Sequence, residues 1–113
     1  MRYMLLICGD ESLVLTDEQN AEMQRDTVAW VEEMDGRGVR LHGSRLHLTT
    51  EATTVRVRDG RLVVSDGQFA ETKEQMGGYD LIEAKDLDEA IEVASKHPVA
   101  RYGTIEVRPL WGQ

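Results

Sequence analysis

The dipeptide Asp59-Gly60 stands between two runs of alternating apolar residues and predicts a tight β-hairpin. A two-residue turn of this type requires positive φ, which aspartate and glycine adopt more readily than most residues. Pairing outward from the turn places four apolar side chains on one face, with Val57 opposite Leu62 and Val55 opposite Val64. The other face carries Arg56 and Arg58, and we expect it to be solvated.

Strand and helix patterns lie on both sides of this hairpin. The apolar run Arg2–Cys8 predicts a central strand, and the capping-box pair Thr16 and Gln19 begins a helix over about residues 17–36. Val39 and Leu41 indicate a second strand that Gly43 interrupts. Later patterns predict a strand at Tyr79–Ala84, a helix from an Asp86 cap to a stop before Pro98, and a last strand at Thr104–Val107.

The predicted order is βαβ, an inserted hairpin, then βαβ. This order is typical of an α+β fold, specifically a ferredoxin-like split βαβ sandwich with both helices on one face of the sheet. The other face would be uncovered, and stacking it on the same face of a second copy would form a dimeric α/β barrel. We therefore expect a single domain over residues 1–113 that assembles as a homodimer.

Composition limits which macromolecules the protein is expected to bind and in which compartment it is expected to reside. The formal net charge of −8 disfavours direct binding to nucleic acid or to an anionic membrane surface. The single cysteine, Cys8, cannot form an intramolecular disulfide and is expected to fill the core of a protein from a reducing compartment. The apolar run at the start is too short for a signal segment or a membrane span, so we expect a cytoplasmic protein.

The sequence contains no pattern typical of a metal or cofactor site. His42 and His47 are expected to point to opposite faces of a strand and could not share a metal ion. Gly77-Gly78 precedes a strand, whereas a phosphate-binding glycine loop opens a helix. We therefore expect neither a metal nor a cofactor.

The segment Asp66–Glu74 reads Asp-Gly-Gln-Phe-Ala-Glu-Thr-Lys-Glu and is predicted to be a loop. It resembles the hallmark of the DGPF branch of the YciI-related superfamily, from which it differs only at Gln68, where the family has proline. The resemblance extends over nearly the whole chain, including Arg2–Ile7, Ala52–Arg56, Gly77–Tyr79 and Ile105–Pro109. It implies a dimeric α+β barrel whose function is mostly unassigned.

Two departures from the family pattern bear on chemistry. Gln68 lacks the fixed φ of proline and adds a backbone donor to the loop. The wider YciI-like group has a histidine on the first helix facing an aspartate before a proline. This chain has no histidine on its first helix, and His97 precedes Pro98. The family's histidine–aspartate pair therefore does not carry over.

The candidate site combines the predicted loop Asp66–Glu74, which we call the signature loop, with the end of the second helix. We assign Asp66 and His97 as the catalytic pair, with four substrate-binding residues: Phe69, Glu71, Lys73 and Tyr79. Each has a structural alternative. His97 could cap or pack the helix end, where an imidazolium would meet the negative end of the helix dipole, Phe69 could anchor the loop, and the loop charges could form a solvated surface.

Three functions stay open at this point. The resemblance implies a small cofactor-independent enzyme that transfers protons on a small organic molecule, because relatives on this fold include lactone isomerases and a dehydrochlorinase. It equally implies a regulatory module, because family members occur beside or fused to sigma factors of the extracytoplasmic-function type. In a third alternative the signature loop only stabilises the dimer.

Overall fold

The computed structural model describes residues 1–68 and 73–113, and it contains two sheets and two helices. The strands are β1 (Arg2–Gly9), β2 (Arg40–Arg45), β3 (Thr53–Arg58), β4 (Arg61–Asp66), β5 (Gln75–Glu83) and β6 (Thr104–Pro109). The helices are α1 (Asp17–Gly36) and α2 (Leu87–Ser95), and short 3₁₀ turns occupy Thr49–Glu51 and Pro98–Arg101.

Four strands form an antiparallel sheet in the order β2-β5-β1-β6, and β3 and β4 pair with each other in a separate two-stranded sheet. The α+β class and the predicted order of elements are confirmed. The sheet of the single chain is open and does not close into a barrel. β2 and β5 are both longer than predicted, and β2 continues through Gly43 to Arg45.

The first helix begins and ends where its local chemistry predicts. Thr16 accepts a hydrogen bond from the backbone of Gln19 at 3.1 Å, and the Gln19 side chain accepts one from the Thr16 backbone at 2.9 Å. This reciprocal capping box supplies partners to amides that the first turn leaves unpaired. Gly38, with φ of +69°, follows the last turn in the left-handed conformation that favours glycine.

The core lies between the two helices and one face of the large sheet. Trp30 and Met34 of α1 pack there with Leu5 and Ile82 of the central strands and with Val93 of α2. The Trp30 indole also donates a hydrogen bond to the carbonyl of Val93 at 3.0 Å. A single side chain therefore fills the core and connects the two helices.

The hairpin has the predicted turn and register. Asp59 and Gly60 have φ of 52° and 74°, and the pairs Val57–Leu62 and Val55–Val64 face each other. At the base, Thr54 donates a hydrogen bond to the Gly67 carbonyl at 2.7 Å. The radius of gyration is 16.0 Å, whereas a compact domain of this length has about 13 Å. The chain is therefore extended, and the hairpin is one of its exposed parts.

Candidate functional site

Among the described residues, no helix packs on the face of the large sheet that points away from α1 and α2. Side chains alternate along each strand, so the buried residues Tyr3, Leu5 and Ile7 of β1 face the helices, and the half-buried residues between them face outward. The strand register then defines an outward set: Met4, Leu6, Cys8, His42, Ser44, Tyr79, Leu81, Glu106 and Arg108. We call this set the open sheet face.

A histidine and a tyrosine form a hydrogen-bonded pair on the open sheet face. The phenol oxygen of Tyr79 lies 3.0 Å from Nδ1 of His42. Their ring centres are 5.6 Å apart, and the ring planes differ by 30°. His42 pairs with Leu81 and Ser44 pairs with Tyr79, so His42 and Tyr79 are diagonal neighbours across adjacent strands. An irregularity in the register between Arg40 and His42 sets this alignment.

Apolar side chains lie beside this pair. Leu6 is opposite Tyr79 across the β1–β5 pair, and Met4 is opposite Leu81. All four are half-buried. The pair therefore stands at one side of an apolar surface.

Tyr79 is the one predicted substrate-binding residue that the described chain places on the open sheet face. Lys73 is exposed, and its charge lowers the pKa of Asp10 as a minor contribution beside the larger effect of hydrogen bonds from Ser12. Asp66 ends β4, opposite Thr53, and is exposed at the base of the hairpin. Phe69 and Glu71 lie outside the described residues.

His97 lies on the other side of the sheet, among the helices. Its ring meets the edge of Trp30 at a centre-to-centre distance of 4.7 Å, and its Nδ1 accepts a hydrogen bond from the backbone of Val99 at 3.1 Å. Burial lowers the pKa of His97 to about 4. His97 follows the end of α2 at Ser95 and packs on Trp30, as its structural alternative predicted. The expected imidazolium is wrong, because the buried ring is neutral at pH 7.

Within residues 1–68 and 73–113, no hydrogen bond or ion pair joins Asp66 to His97. Asp66 belongs to the separate two-stranded sheet, whereas His97 caps the turn Pro98–Arg101 that packs on α1. Their assignment as a catalytic pair stays a prediction.

A buried ion pair lies on the helix side of the sheet. The Nε of Arg40 donates to the Asp80 carboxylate at 2.8 Å, and Asp35 lies 3.5 Å from the same guanidinium. Burial raises the pKa of Asp80, and the hydrogen bond from Arg40 opposes that rise. Burial alone would lower the pKa of Arg40, but Asp80 and Asp35 together outweigh it and the pKa is raised. The Arg40–Asp80 ion pair connects β2 to β5 and does not reach the open sheet face.

The described chain offers no cluster of three or more histidine, cysteine, aspartate or glutamate side chains that could hold a metal ion. None of its helices is long and apolar enough to cross a membrane. Cys8, expected in the core, is half-buried on the open sheet face, where burial and the nearby charges of Glu106 and Glu74 raise the pKa of its thiol.

Comparison with known proteins assigns the family. Residues 1–112 match the family model described as the YCII-related domain. The chain belongs to the YCII-related family. It is similar to an uncharacterized protein of Rhizobium meliloti (strain 1021), with 39% identity over 114 aligned residues that cover 97% of this chain and 92% of that protein.

In this YCII-related protein, sequence reasoning missed His42. The predicted alternation of β2 placed His42 on a strand. Which residue His42 contacts depends on how β2 and β5 align, and the register irregularity that sets this alignment has no local sequence pattern. The signal that was available is the pairing of two polar aromatic residues, His42 and Tyr79, on strands that the topology makes neighbours.

Proposed function

We propose that this YCII-related protein is a small cofactor-independent enzyme in which His42 and Tyr79 move protons on a small organic molecule. The observation that carries this proposal is the 3.0 Å contact between the Tyr79 hydroxyl and the His42 imidazole at the side of an apolar surface. Two groups that each accept and donate protons, held in contact beside a surface for an apolar substrate, are the minimum for acid/base catalysis.

The contact assigns the role of general base to His42 and the role of general acid to Tyr79. In the tautomer where Nδ1–H donates to the phenol oxygen, Nε2 of His42 is a free base and the Tyr79 O–H is a free acid. Nε2 takes a proton from a carbon next to a substrate carbonyl, and Tyr79 gives its proton to the carbonyl oxygen. The imidazolium then returns its Nδ1 proton to the phenolate. Donation of the Nε2 proton to a different carbon, while the enol proton returns to Tyr79 and Tyr79 passes its own proton back to Nδ1, completes an isomerisation and restores the starting tautomer.

A second copy would make this surface a chamber. The order β2-β5-β1-β6 with both helices on one face is the order of a ferredoxin-like sandwich, and stacking two open sheet faces would exclude water from the His42–Tyr79 pair. The resemblance to the DGPF branch supports this homodimer. Lys73, Glu71 and Phe69 of the signature loop would then help to bind the substrate, in a cytoplasmic enzyme.

Deuterium exchange tests the proposal without knowledge of the physiological substrate. A panel of unsaturated lactones and 1,3-dicarbonyl compounds is incubated with the protein in D₂O, and loss of the C–H signals is followed by NMR. We expect Tyr79→Phe and His42→Gln each to lower the exchange rate by roughly 10²-fold or more. His47→Gln, an exposed histidine outside the large sheet, is the matched control and should leave the rate unchanged.

The competing assignment makes a distinct prediction in the same assay. If Asp66 and His97 are the catalytic pair, Asp66→Asn and His97→Asn would abolish exchange while Tyr79→Phe would not. Exchange that never exceeds the buffer rate for any panel compound would argue against an enzyme and favour the alternative, a regulatory module that binds an extracytoplasmic-function sigma factor.

A further inference from the structure

One row of residues crosses all four strands of the open sheet face. From β2 to β6, the strand register places in it His42, Leu81, Met4 and Arg108. Neighbouring strands lie about 4.8 Å apart, so the backbones at the two ends of the row are about 14 Å apart. The acid/base pair and a guanidinium therefore lie on opposite sides of the same apolar surface.

A groove of about 920 Å³ lies at the Arg108 end of this row. Its apolar wall consists of Met4, Leu6, Leu110 and Trp111. The side chain of Trp111 is fully exposed, so its indole is available to contact a ligand. Aromatic rings bind to an indole through stacked or edge-on contacts, which add to the gain from burying apolar area. The composition of the wall therefore suits a ligand that contains a ring.

The charges around the groove favour an anionic ligand. Among the described residues that line it, Arg108 has the only charged side chain, and the Met1 ammonium at its border lies 3.3 Å from Glu83. Glu106 lies 3.6 Å from the Arg108 guanidinium, but both side chains are more than half exposed. Such an exposed ion pair contributes little stability. A ligand carboxylate that accepts two hydrogen bonds from the guanidinium would therefore displace Glu106.

We infer that the substrate is an aromatic carboxylate, with its carboxylate on Arg108 and its reacting carbonyl beside His42 and Tyr79. In this orientation the ring lies over Met4 and against Trp111. The side chains at both ends of the row extend over the surface, so one ring between the two functional groups is long enough to reach both. If two open sheet faces stack, the row lines the chamber between them and the bound acid lies inside it.

This inference deepens the acid/base proposal by naming a substrate class. It rests on that proposal where it calls the bound molecule a substrate. Binding of an aromatic carboxylate at Arg108 requires no chemistry at His42 and Tyr79, so binding and proton transfer can be measured separately.

The probe is para-acetoacetylbenzoate, in which a carboxylate, a ring and a 1,3-dicarbonyl group lie in line. Its carboxamide is the matched neutral compound. Isothermal titration calorimetry gives the Kd of each compound, and NMR in D₂O gives the rate of exchange at the carbon between the carbonyls. We expect the wild-type protein to bind the acid about 10-fold or more tightly than the amide, because only the acid forms charged hydrogen bonds with Arg108.

Substitutions of Arg108 test the carboxylate contact. Arg108→Gln should raise the Kd of the acid by about 10-fold or more, while the Kd of the amide and the exchange rate at saturation stay unchanged. Arg108→Lys keeps the charge without the planar pair of donors and should lose part of the affinity. Arg58→Gln, at an exposed position of β3, removes the same charge and is the matched control.

Two further variants separate the other contacts. Glu106→Gln removes the competing carboxylate and should lower the Kd of the acid by roughly threefold. Trp111→Leu should raise the Kd of the acid and of the amide by roughly fivefold each, because both compounds contain the ring. A loss common to the two compounds distinguishes the ring contact from the carboxylate contact.

Circular dichroism establishes that each variant is folded. Acid and amide that bind equally or not at all, or an Arg108→Gln variant that still prefers the acid, would overturn the inference and leave the acid/base proposal intact. Binding that depends on Arg108, without exchange above the buffer rate, would overturn the acid/base proposal and leave the carboxylate site in place. Exchange that is lost in Tyr79→Phe while binding is kept would support both.

Discussion

A β-carbon at position 43 would lie 1.9 Å from a carboxylate oxygen of Asp80. Gly43 faces Asp80 across the β2–β5 pair, and the same carboxylate accepts the hydrogen bond from Arg40. A glycine inside a strand usually weakens it. Here the missing side chain provides the space in which the buried ion pair forms.

We predict that Gly43→Ala destabilises the fold by about 2–4 kcal/mol, because the new methyl group must displace either Asp80 or the backbone of Tyr79. Urea denaturation measures the change. Gly9→Ala is the matched control, since a β-carbon there meets no atom within 4 Å. Equal losses of stability in the two variants would show that strand propensity, rather than the Asp80 contact, decides the effect.

Removal of one partner of the buried ion pair should cost more than removal of both. Arg40→Met is expected to destabilise the protein by about 3–5 kcal/mol, because it leaves the buried Asp80 without its principal partner. Arg40→Met combined with Asp80→Leu should recover most of that loss. A double-mutant cycle measured by thermal unfolding checks the coupling, and additive losses would contradict it.

The Arg40→Met variant also has a predicted pH dependence. Burial raises the pKa of Asp80, and loss of Arg40 removes the interaction that limits this rise. The folded state then binds a proton more tightly than the unfolded chain, so stability should increase as pH falls from neutral through the raised pKa. Urea midpoints across that range measure the slope, and a slope equal to that of the wild type would count against the assignment.

His97 should make the wild type lose stability in mild acid. Its pKa is lowered to about 4 in the folded state, whereas an unfolded histidine titrates near pH 6.5. The stability linked to the neutral ring is complete above pH 6.5 and is lost as pH falls toward 4, by up to about 3 kcal/mol. His97→Asn keeps an acceptor for the Val99 amide and lacks the titration. Parallel pH profiles of variant and wild type would refute this.

Trp30→Phe should destabilise the protein by about 1–3 kcal/mol although the aromatic packing remains. The substitution removes the indole donor and leaves the Val93 carbonyl without its 3.0 Å hydrogen bond inside the core. Urea denaturation at low protein concentration measures the loss. Trp111→Phe, at a fully exposed position, should leave the midpoint unchanged.

The elements that were predicted correctly depend on local interactions. Thr16 and Gln19 cap α1 within one turn, and Asp59-Gly60 fixes the hairpin register across two residues. Adjacent residues determine local steric and hydrogen-bonding preferences, so a single sequence is enough to identify them.

The candidate site depends on interactions that are distant in sequence. The His42–Tyr79 contact requires β2 to align on β5 with one irregularity, and the low pKa of His97 follows from its burial beside Trp30. A histidine near a helix end is equally compatible with a charged cap and a neutral core residue until the tertiary packing determines its burial. Gly43 was likewise expected to interrupt β2. Its actual effect, which is to leave room for the Asp80 carboxylate, could not be predicted because Asp80 lies on another strand.

The single thiol of the chain offers a way to follow the open sheet face in solution. Cys8 lies on that face, and its raised pKa keeps it mostly protonated and slow to alkylate at neutral pH. A maleimide added under mildly alkaline conditions would attach one reporter group per chain at a known position. The rate of that attachment, followed against protein concentration, would measure how often the surface is accessible to a reagent.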